Sequence, residues 1–418
     1  MNALKIITVM MLFVSAFSIQ ANDDLSLAQA LKIALENDAL VSALSEKQNA
    51  WNQLSHASQT WADPKLRFGA QAVPVDTFDL DQEAMTQLVV GYQQMFPRGD
   101  NLKNNSASMQ ANAGIEKSKL ELRKRQIIQG VKKRWYEVWY RQEAIKIIQS
   151  NRGIFVEMLD INQSFYASGR SEQQSVVQAE LDISLIDDRL QAMQSEMLVA
   201  EAALAKWLGL DVVSVNGGQQ QAIPYLITSV DSLKLKLKSH PQIKQANETL
   251  NMRQSALAIA QDKYSAQWGL DVRYGLRQGE NNDGSDRADF LTAMVTVDLP
   301  VFTEKKQDRQ VAASRSRMQS ARYQIIDVER ELVKQLKQVH SKLSNLKQRL
   351  RLYKERINPQ ARQNTEVAMR GYQSGVVDFI TLSKAQVTEF NTNLAELKLK
   401  YKFNNTMSDM EFLVGDIQ

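Results

Sequence analysis

The sequence contains no cysteine. This absence excludes disulfides, thiolate metal sites, a cysteine nucleophile and the lipid-anchoring cysteine that follows the signal of many bacterial envelope proteins. Glycine and proline are scarce too, with 17 and 7 residues in a chain of 418, which favours long uninterrupted elements over many short ones. No segment reaches the roughly 20 apolar residues that a membrane-spanning helix needs.

Neither sign of charge is in marked excess, because the chain has 51 basic and 47 acidic residues and a net charge of +4. A nucleic-acid-binding protein would usually show a clustered basic excess, so that class is excluded. His56, His240 and His340 share no metal-ligand spacing, and no phosphate loop, nucleophile elbow or catalytic dyad is present. We therefore expect neither an enzyme nor a bound metal or cofactor.

The N-terminal segment has the layout of a secretory signal peptide. Lys5 precedes an apolar stretch from Ile6 to Phe17, and a small residue follows at Ala21. The prediction is a signal peptide over residues 1–21 and a mature protein in the cell envelope.

The rest of the chain is duplicated. Four landmarks recur: Trp61, Pro97, the Tyr166–Gly169 turn and Gly209 in the first half, and Tyr264, Pro300, the Tyr372–Gly375 turn and Gly415 in the second. The aromatic residue and the proline lie 36 residues apart in both halves, and the turn glycine and the closing glycine lie 40 apart in both. Internal repeats decide the fold. We predict a first repeat over residues 22–209, a linker over 210–232 and a second repeat over 233–418.

Each repeat contains two runs in which apolar and polar residues alternate, the pattern of strands with one face of each kind. Each predicted strand is about 10 residues long, enough to cross a bilayer when tilted. Such hairpins could equally cover a soluble core with their apolar face, and alternation alone leaves both readings open. Two isolated hairpins would be marginal in water, however, and would have open edges.

Long helices fill the remainder. A segment of about 65 residues with few breakers follows each hairpin, and apolar residues in the second one recur at steps of 3 and 4, the seam of a coiled coil. The helices reverse at the Tyr-x-Ser-Gly turns, because Gly169 and Gly375 suit the left-handed conformation that ends a helix. Ser171 and Gln174 predict a capping box for the helix after the first turn.

This doubled string of elements resembles the TolC-like outer-membrane efflux family over essentially the whole mature chain. The motifs that carry the resemblance are Leu27, Ala30, Leu31, Ala34, Leu35 and Asn37 near the start, Phe96–Gly99 and Leu299–Phe302 at the strand ends, and the two Tyr-x-Ser-Gly turns. The resemblance implies a mainly α fold with short β segments. Long coiled-coil helices would form an α-barrel tunnel, and four strands per chain would contribute to a trimeric, twelve-stranded transmembrane β-barrel.

On that interpretation the apolar strand positions face lipid and the polar ones line the barrel lumen. The predicted lumen residues are Lys65, Arg67, Gln71, Asp271, Arg273, Arg277 and Asp298. The predicted lipid-facing residues are Trp268, Leu270, Val272, Tyr274, Leu276, Leu291, Val295, Val297 and Leu299.

The implied function is a passive, gated exit duct in the bacterial outer membrane with a long periplasmic extension. Its implied partners are two further copies in a homotrimer, a periplasmic adaptor (membrane fusion) protein, an inner-membrane transporter and outer-membrane lipid. The stretches Pro74–Glu83 and Met95–Asp100 resemble members that accompany heavy-metal exporters, so metal ions are the first hypothesis for the cargo. A periplasmic coiled-coil adaptor, an envelope scaffold and the duct of a type I protein-secretion system are the alternatives.

The turns are the predicted gate, formed by Gly169, Glu172, Gly375 and Asp378. In a trimer the two carboxylates would form a ring of six that attracts cations. The alternative is that they complement the dipole at the start of a helix. The family's deeper acidic gate positions correspond here to Ser175, Gln178, Thr381 and Lys384, which departs from its pattern. Gly153 and Pro359 are predicted to bend the helices before the turns, and the alternative is that the surface merely tolerates these residues there.

Overall fold

The computed structural model describes residues 25–211 and 229–415. The predicted signal peptide, residues 1–21, and most of the predicted linker lie outside the described residues. The end of that linker begins a helix at Val230.

The first repeat contains four helices and two strands. They are α1 (Leu27–Asn37), α2 (Ala39–Ala57), β1 (Lys65–Gln71), β2 (Gln87–Met95), α3 (Asn101–Ala167) and α4 (Gln173–Leu208). The helix α3 has 67 residues, which corresponds to a rod of about 100 Å at 1.5 Å per residue.

The second repeat follows the same order. Its elements are α5 (Val230–Leu237), α6 (Pro241–Asp262), β3 (Gln267–Leu276), β4 (Phe290–Asp298), α7 (Gln307–Leu352), a π-helical turn (Tyr353–Ile357), α8 (Asn358–Gln373) and α9 (Phe379–Val414). Helix α7 begins 206 residues after α3, at Gln307 against Asn101, and α9 begins 206 residues after α4, at Phe379 against Gln173. The long helices expected from the sequence are confirmed.

Local sequence explains how the repeat starts. Ser26 and Gln29 form a capping box on α1, in which the Ser26 hydroxyl accepts from the Gln29 amide and the Gln29 side chain accepts from the Ser26 amide. Asp38 then caps α2 by accepting from the Val41 amide at 2.9 Å. The Arg123 guanidinium also binds Asp38, at 2.6 Å, and holds the pKa of that carboxyl below its usual value. One carboxylate therefore starts α2 and fixes it to α3.

The helices form an open layer rather than a closed bundle. Helix α3 contacts α4 and α9, and α9 in turn contacts α7 and α8, while α2 and α6 also pack against α3 and α6 packs against α7. Apolar clusters line these contacts along the rods, one around Leu204 and Val131 and the next around Phe155 and Leu394, nearer the hairpin tips. Helix α4 and the α7–α8 pair are therefore the two edges of the layer.

The four strands form one antiparallel sheet in the order β1, β2, β3, β4. The apolar face of this sheet is exposed, with Phe68 at 74% and Leu291 at 73%, whereas Asp271 on the opposite face is only 6% exposed. A soluble sheet buries its apolar face, because burying apolar surface is what stabilises it in water. Among the described residues, none of the helices is apolar enough over a sufficient length to span a membrane.

Candidate functional site

The polar face of the sheet brings most of the predicted lumen residues together. Direct cross-strand partners share a face, and the register pairs Arg67 with Gly91, Gly91 with Arg273, and Arg273 with Thr292. The residues that this register places on one face are Lys65, Arg67, Gln71, Asp271, Arg273 and Asp298. Arg277 lies just beyond the end of β3, where its guanidinium stacks on the Phe290 ring at 4.4 Å and donates to the Ala288 carbonyl.

A charge network crosses three strands of this face. The Arg273 Nε donates to Asp271 Oδ1 at 2.6 Å, Arg67 lies 3.6 Å from Asp271 Oδ2, and Arg67 donates to Gln93 at 2.6 Å. A covered carboxylate requires such partners, because removing a charge from water without them is costly. Two guanidinium groups around one carboxylate leave this part of the face net positive.

The end of the sheet nearest the helices carries a second ion pair. Arg98, directly after β2, donates to Asp298 at the end of β4 and to Gln267 Oε1 at 3.1 Å at the start of β3. Asp298 thus belongs to the polar face but is also bound to the strand–helix junction. The interaction connects the sheet to the rods.

The first hairpin tip ends α3 with a glycine turn. Gly169 has a φ of 71°, and the Arg170 amide donates back to the Phe165 carbonyl at 2.7 Å. The expected capping box of Ser171 and Gln174 is wrong: Glu172 is the N-cap residue of α4, and its carboxylate makes no capping bond. The Ser171 hydroxyl instead donates to the Asn162 Oδ1 at 2.6 Å, because the turn directs it back towards α3.

The second hairpin tip has the same turn but a different cap. Gly375 has a φ of 76°, and Asp378 begins α9 by accepting from the Thr381 amide at 2.8 Å. Hydrogen bonds with the Thr381 side chain and with the Thr381 amide hold the pKa of Asp378 below its usual value. Glu172 and Asp378 therefore occupy equivalent positions but only Asp378 caps its helix.

This difference predicts different responses to substitution. Asp378→Ala should weaken the start of α9 by about 1 kcal/mol, whereas Asp378→Asn, which also caps well, should change it little. Because the folded pKa is lowered, the contribution of Asp378 is present above the unfolded pKa and is lost as pH falls through the folded pKa. Hydrogen exchange of the first-turn amides of α9 measures this. Glu172→Ala is the matched control, and an equal acceleration at the start of α4 would contradict the assignment.

Asn162 connects the two tips and was not identified from the sequence. Its side chain is fully buried, and its Oδ1 accepts from Ser171 of the first tip and, at 3.0 Å, from the Tyr372 hydroxyl of the second. The Tyr372 ring packs against Phe165 and Phe379, with centroids 5.5 and 5.9 Å apart. Burial raises the Tyr372 pKa, so the phenol stays a donor. A detectable signal existed, since Ile148, Asn151, Phe155, Met158 and Asn162 form a heptad seam with two asparagines.

Further polar contacts join the hairpins a few turns from the tips. The buried Asp182 accepts from Ser383 at 2.5 Å and from Gln178 at 2.9 Å, and Gln386 donates to Asn151 at 3.3 Å. The four helices are thus joined near the tips by directional hydrogen bonds rather than by apolar contacts alone. Because hydrogen bonds are directional, these bonds would break if the helices shifted relative to one another.

The structure places the two predicted bend residues in different settings. Gly153 lies within the uninterrupted α3, and nothing approaches within 4 Å of the position a Cβ would take. Pro359 lies two residues after the π-helical turn Tyr353–Ile357, a local widening that accommodates a residue without an N–H. Of the two predicted bend sites, only the one in the second repeat therefore lies beside an irregular turn of helix.

Within residues 25–211 and 229–415, no group of three or more His, Asp or Glu side chains could hold a metal ion. His240 is buried with its Nδ1 accepting from the Gln242 amide. Burial and the nearby Arg125 lower its pKa to about 4, so it stays neutral and helps to start α6.

Comparison with known proteins assigns this architecture. Residues 233–416 match the family described as outer membrane efflux protein. No curated protein is significantly similar in sequence to this chain. Several solved structures share its fold. CusC has a TM-score of 0.77 at 15% sequence identity, and the match covers 94% of this chain and 92% of CusC. The outer membrane protein VceC of Vibrio cholerae has a TM-score of 0.74 at 16% identity, with 93% of this chain and 96% of VceC covered. The MtrE outer membrane channel of Neisseria gonorrhoeae in its open state has a TM-score of 0.71 at 13% identity, with 93% of this chain and 88% of MtrE covered.

Proposed function

From the match of residues 233–416 to the outer membrane efflux protein family, we propose that this chain is the outer-membrane exit duct of a tripartite efflux system. The sheet is its membrane segment and the helical rods are its periplasmic tunnel. The observation that carries the proposal is the sheet whose apolar face is exposed, with Phe68 at 74% and Leu291 at 73%, and which continues into a helix of 67 residues.

The duct is a homotrimer that docks by its hairpin tips on a periplasmic adaptor and an inner-membrane transporter. Four strands cannot close a barrel that could hold a lumen, so further copies must supply the remaining strands. The open layer of helices supports the same conclusion, because α4 and the α7–α8 pair have unfilled edges. Exposed apolar residues on those edges, which a second copy would cover, are Val177, Leu181, Leu185, Tyr323 and Val367.

The tips form the gate of the duct. Asn162 and Tyr372 hold the two hairpins together in the structure, and Glu172 is the tip carboxylate that makes no capping bond. With Asp378, it would place a ring of carboxylates at the entrance, which favours cations. Heavy-metal ions remain the hypothesis for the cargo, based on the resemblance of the Pro74–Glu83 and Met95–Asp100 stretches. A passive duct needs no binding site for them.

Membrane fractionation tests the proposal. The protein should stay in the outer-membrane fraction after a high-salt wash, require detergent for release, and migrate as an oligomer that heating converts to a monomer of 47.4 kDa or slightly less. Deleting the gene should raise intracellular cargo, and the intact gene should restore export. Release by salt alone would contradict the membrane segment.

A further inference from the structure

The second repeat has a longer corner between its sheet and its long helix than the first repeat has. Three residues separate Pro97 from the start of α3 at Asn101, whereas six residues separate Pro300 from the start of α7 at Gln307. The first corner is tightly packed, since a Cβ on Gly99 would lie 2.9 Å from the Asp262 carboxylate. The additional residues of the second corner border a cavity.

This cavity has a volume of about 550 Å³ and lies between the sheet and the rods. Arg98, Gln267 and Asp298, which join the strand ends to one another, line it on one side, and the start of α7 lines it on another. In the proposed duct this level is the periplasmic surface of the outer membrane. The inference therefore rests on the proposed function, and it names a ligand that binds at that surface.

Gln307, the first residue of α7, lines the cavity and carries a polar atom without a partner. Only 8% of this residue is exposed, and its buried Oε1 accepts no hydrogen bond within the described chain. A buried acceptor without a donor is costly and rare, so it points to a ligand. Because a carbonyl oxygen can only accept, that ligand must offer an N–H or O–H group.

The start of α7 also makes one side of the cavity positive. The N-cap residue, Lys306, forms no side-chain cap, and its ammonium makes no ion pair within residues 25–211 and 229–415. Lys263 lines the same cavity and donates to Gln310 Oε1 at 3.0 Å rather than to a carboxylate. Two ammonium groups beside the N-terminus of a 46-residue helix favour a phosphate or another anion.

The carboxylates of the cavity do not cancel this charge. Three basic and two acidic residues line it, which leaves one positive charge. Asp298 is bound to Arg98, and Asp262 accepts from the Asn104 side chain at 2.7 Å. Asp262 has no lysine or arginine within ion-pair distance in the described chain, so it favours a ligand whose donor is an ammonium group over one whose donor is a hydroxyl.

The rim of the cavity is apolar. Leu299, Val301 and Phe302 line it and are 62%, 69% and 89% exposed. The counterpart of Leu299 in the first repeat is Phe96, which instead packs edge-on against Trp61 with a centroid distance of 5.3 Å. Exposed apolar residues beside a charged cavity at the membrane surface fit a molecule with one polar end and one apolar end.

We propose that the cavity binds the headgroup of a phospholipid with a primary amine, the phosphatidylethanolamine class. The phosphate binds at Lys306 and the start of α7, and the ammonium donates to Gln307 Oε1. The acyl chains cover Val301 and Phe302. Each copy of the chain holds one such lipid at the periplasmic surface of the membrane.

Native mass spectrometry of the detergent-purified oligomer in defined lipid mixtures tests the headgroup. Phosphatidylethanolamine should bind about ten-fold more tightly than phosphatidylcholine with the same acyl chains, because choline has no N–H to donate. Gln307→Leu is similar in size but lacks the acceptor, so it should remove this preference. Gln307→Glu keeps an acceptor and should retain it. Heat-modifiable oligomer shows that each variant has assembled.

Lysine variants test the phosphate site. Lys306→Gln should weaken the binding of both lipids by about five-fold, because both carry the same phosphate. Lys305→Gln is the matched control, since Lys305 is an exposed neighbour that does not line the cavity, and it should change neither lipid. Equal losses in the two variants would mean a general charge effect and would overturn the site.

The remaining outcomes separate the lipid from the duct. An outer-membrane oligomer that retains no phosphatidylethanolamine, or whose preference survives Gln307→Leu, overturns the lipid site but leaves the duct. Displacement of the lipid by millimolar inorganic phosphate would identify a site for free phosphate and overturn the lipid assignment. Protein that a salt wash releases from the membrane overturns the duct and the lipid site together.

Discussion

Val90→Arg is expected to abolish assembly of the membrane segment. Val90 lies at the middle of β2 on the exposed apolar face, opposite Phe68 and Tyr274. An arginine on the lipid face near the bilayer midplane costs about 2–4 kcal/mol, and every copy in an oligomer carries it. Since 1.4 kcal/mol corresponds to about tenfold, heat-modifiable oligomer in the outer membrane should fall by at least one order of magnitude.

Val89→Arg is the matched control. It changes the same residue type to the same residue at the neighbouring position, but Val89 lies on the polar face between Gly69 and Gly275. Water can solvate an arginine on that face, so assembly should stay near the natural level. If Val89→Arg were the damaging variant and Val90→Arg were tolerated, the sheet would face the opposite way and the membrane assignment would be wrong.

The local period of the sequence was sufficient to predict the elements and their faces. Strict alternation placed Arg67, Asp271 and Arg273 on one face, and the register agrees because a period of two leaves only two choices. The long helices followed from scarce breakers and a heptad seam. Gly169 and Gly375 marked the turns because a left-handed residue there strongly favours glycine.

Contacts between distant parts of the chain could not be predicted in the same way. Ser171 was assigned to a capping box on local spacing, but its hydroxyl meets Asn162 on another helix. Tyr372 and Asn162 lie 210 residues apart, so only the fold brings them together. The π-helical turn before Pro359 also escaped detection, because the seam continues through it at steps that an α-helix would equally show.

Tyr372→Phe should loosen the closed arrangement of the tips. The substitution keeps the ring between Phe165 and Phe379 but removes the hydroxyl that donates to buried Asn162. Weakening the hydrogen bonding of a buried amide costs about 1–3 kcal/mol. If the bond exists only in the closed state, the open fraction should rise by about tenfold. Single-channel recordings in planar bilayers would show longer openings, and cells would become sensitive to large polar antibiotics that the outer membrane excludes.

The internal repeat provides the control for this prediction. Tyr166 is the equivalent tyrosine of the first tip, but it is 48% exposed and its hydroxyl has no partner in the described chain. Tyr166→Phe should therefore change neither the recordings nor the sensitivity. A double-mutant cycle of Tyr372→Phe with Asn162→Ala isolates the bond, because Tyr372→Phe should add little once its acceptor has been replaced, even though Asn162→Ala also removes the acceptor of Ser171. Additive effects, or an equal effect of Tyr166→Phe, would mean that the two residues stabilise their own hairpins and do not couple the tips.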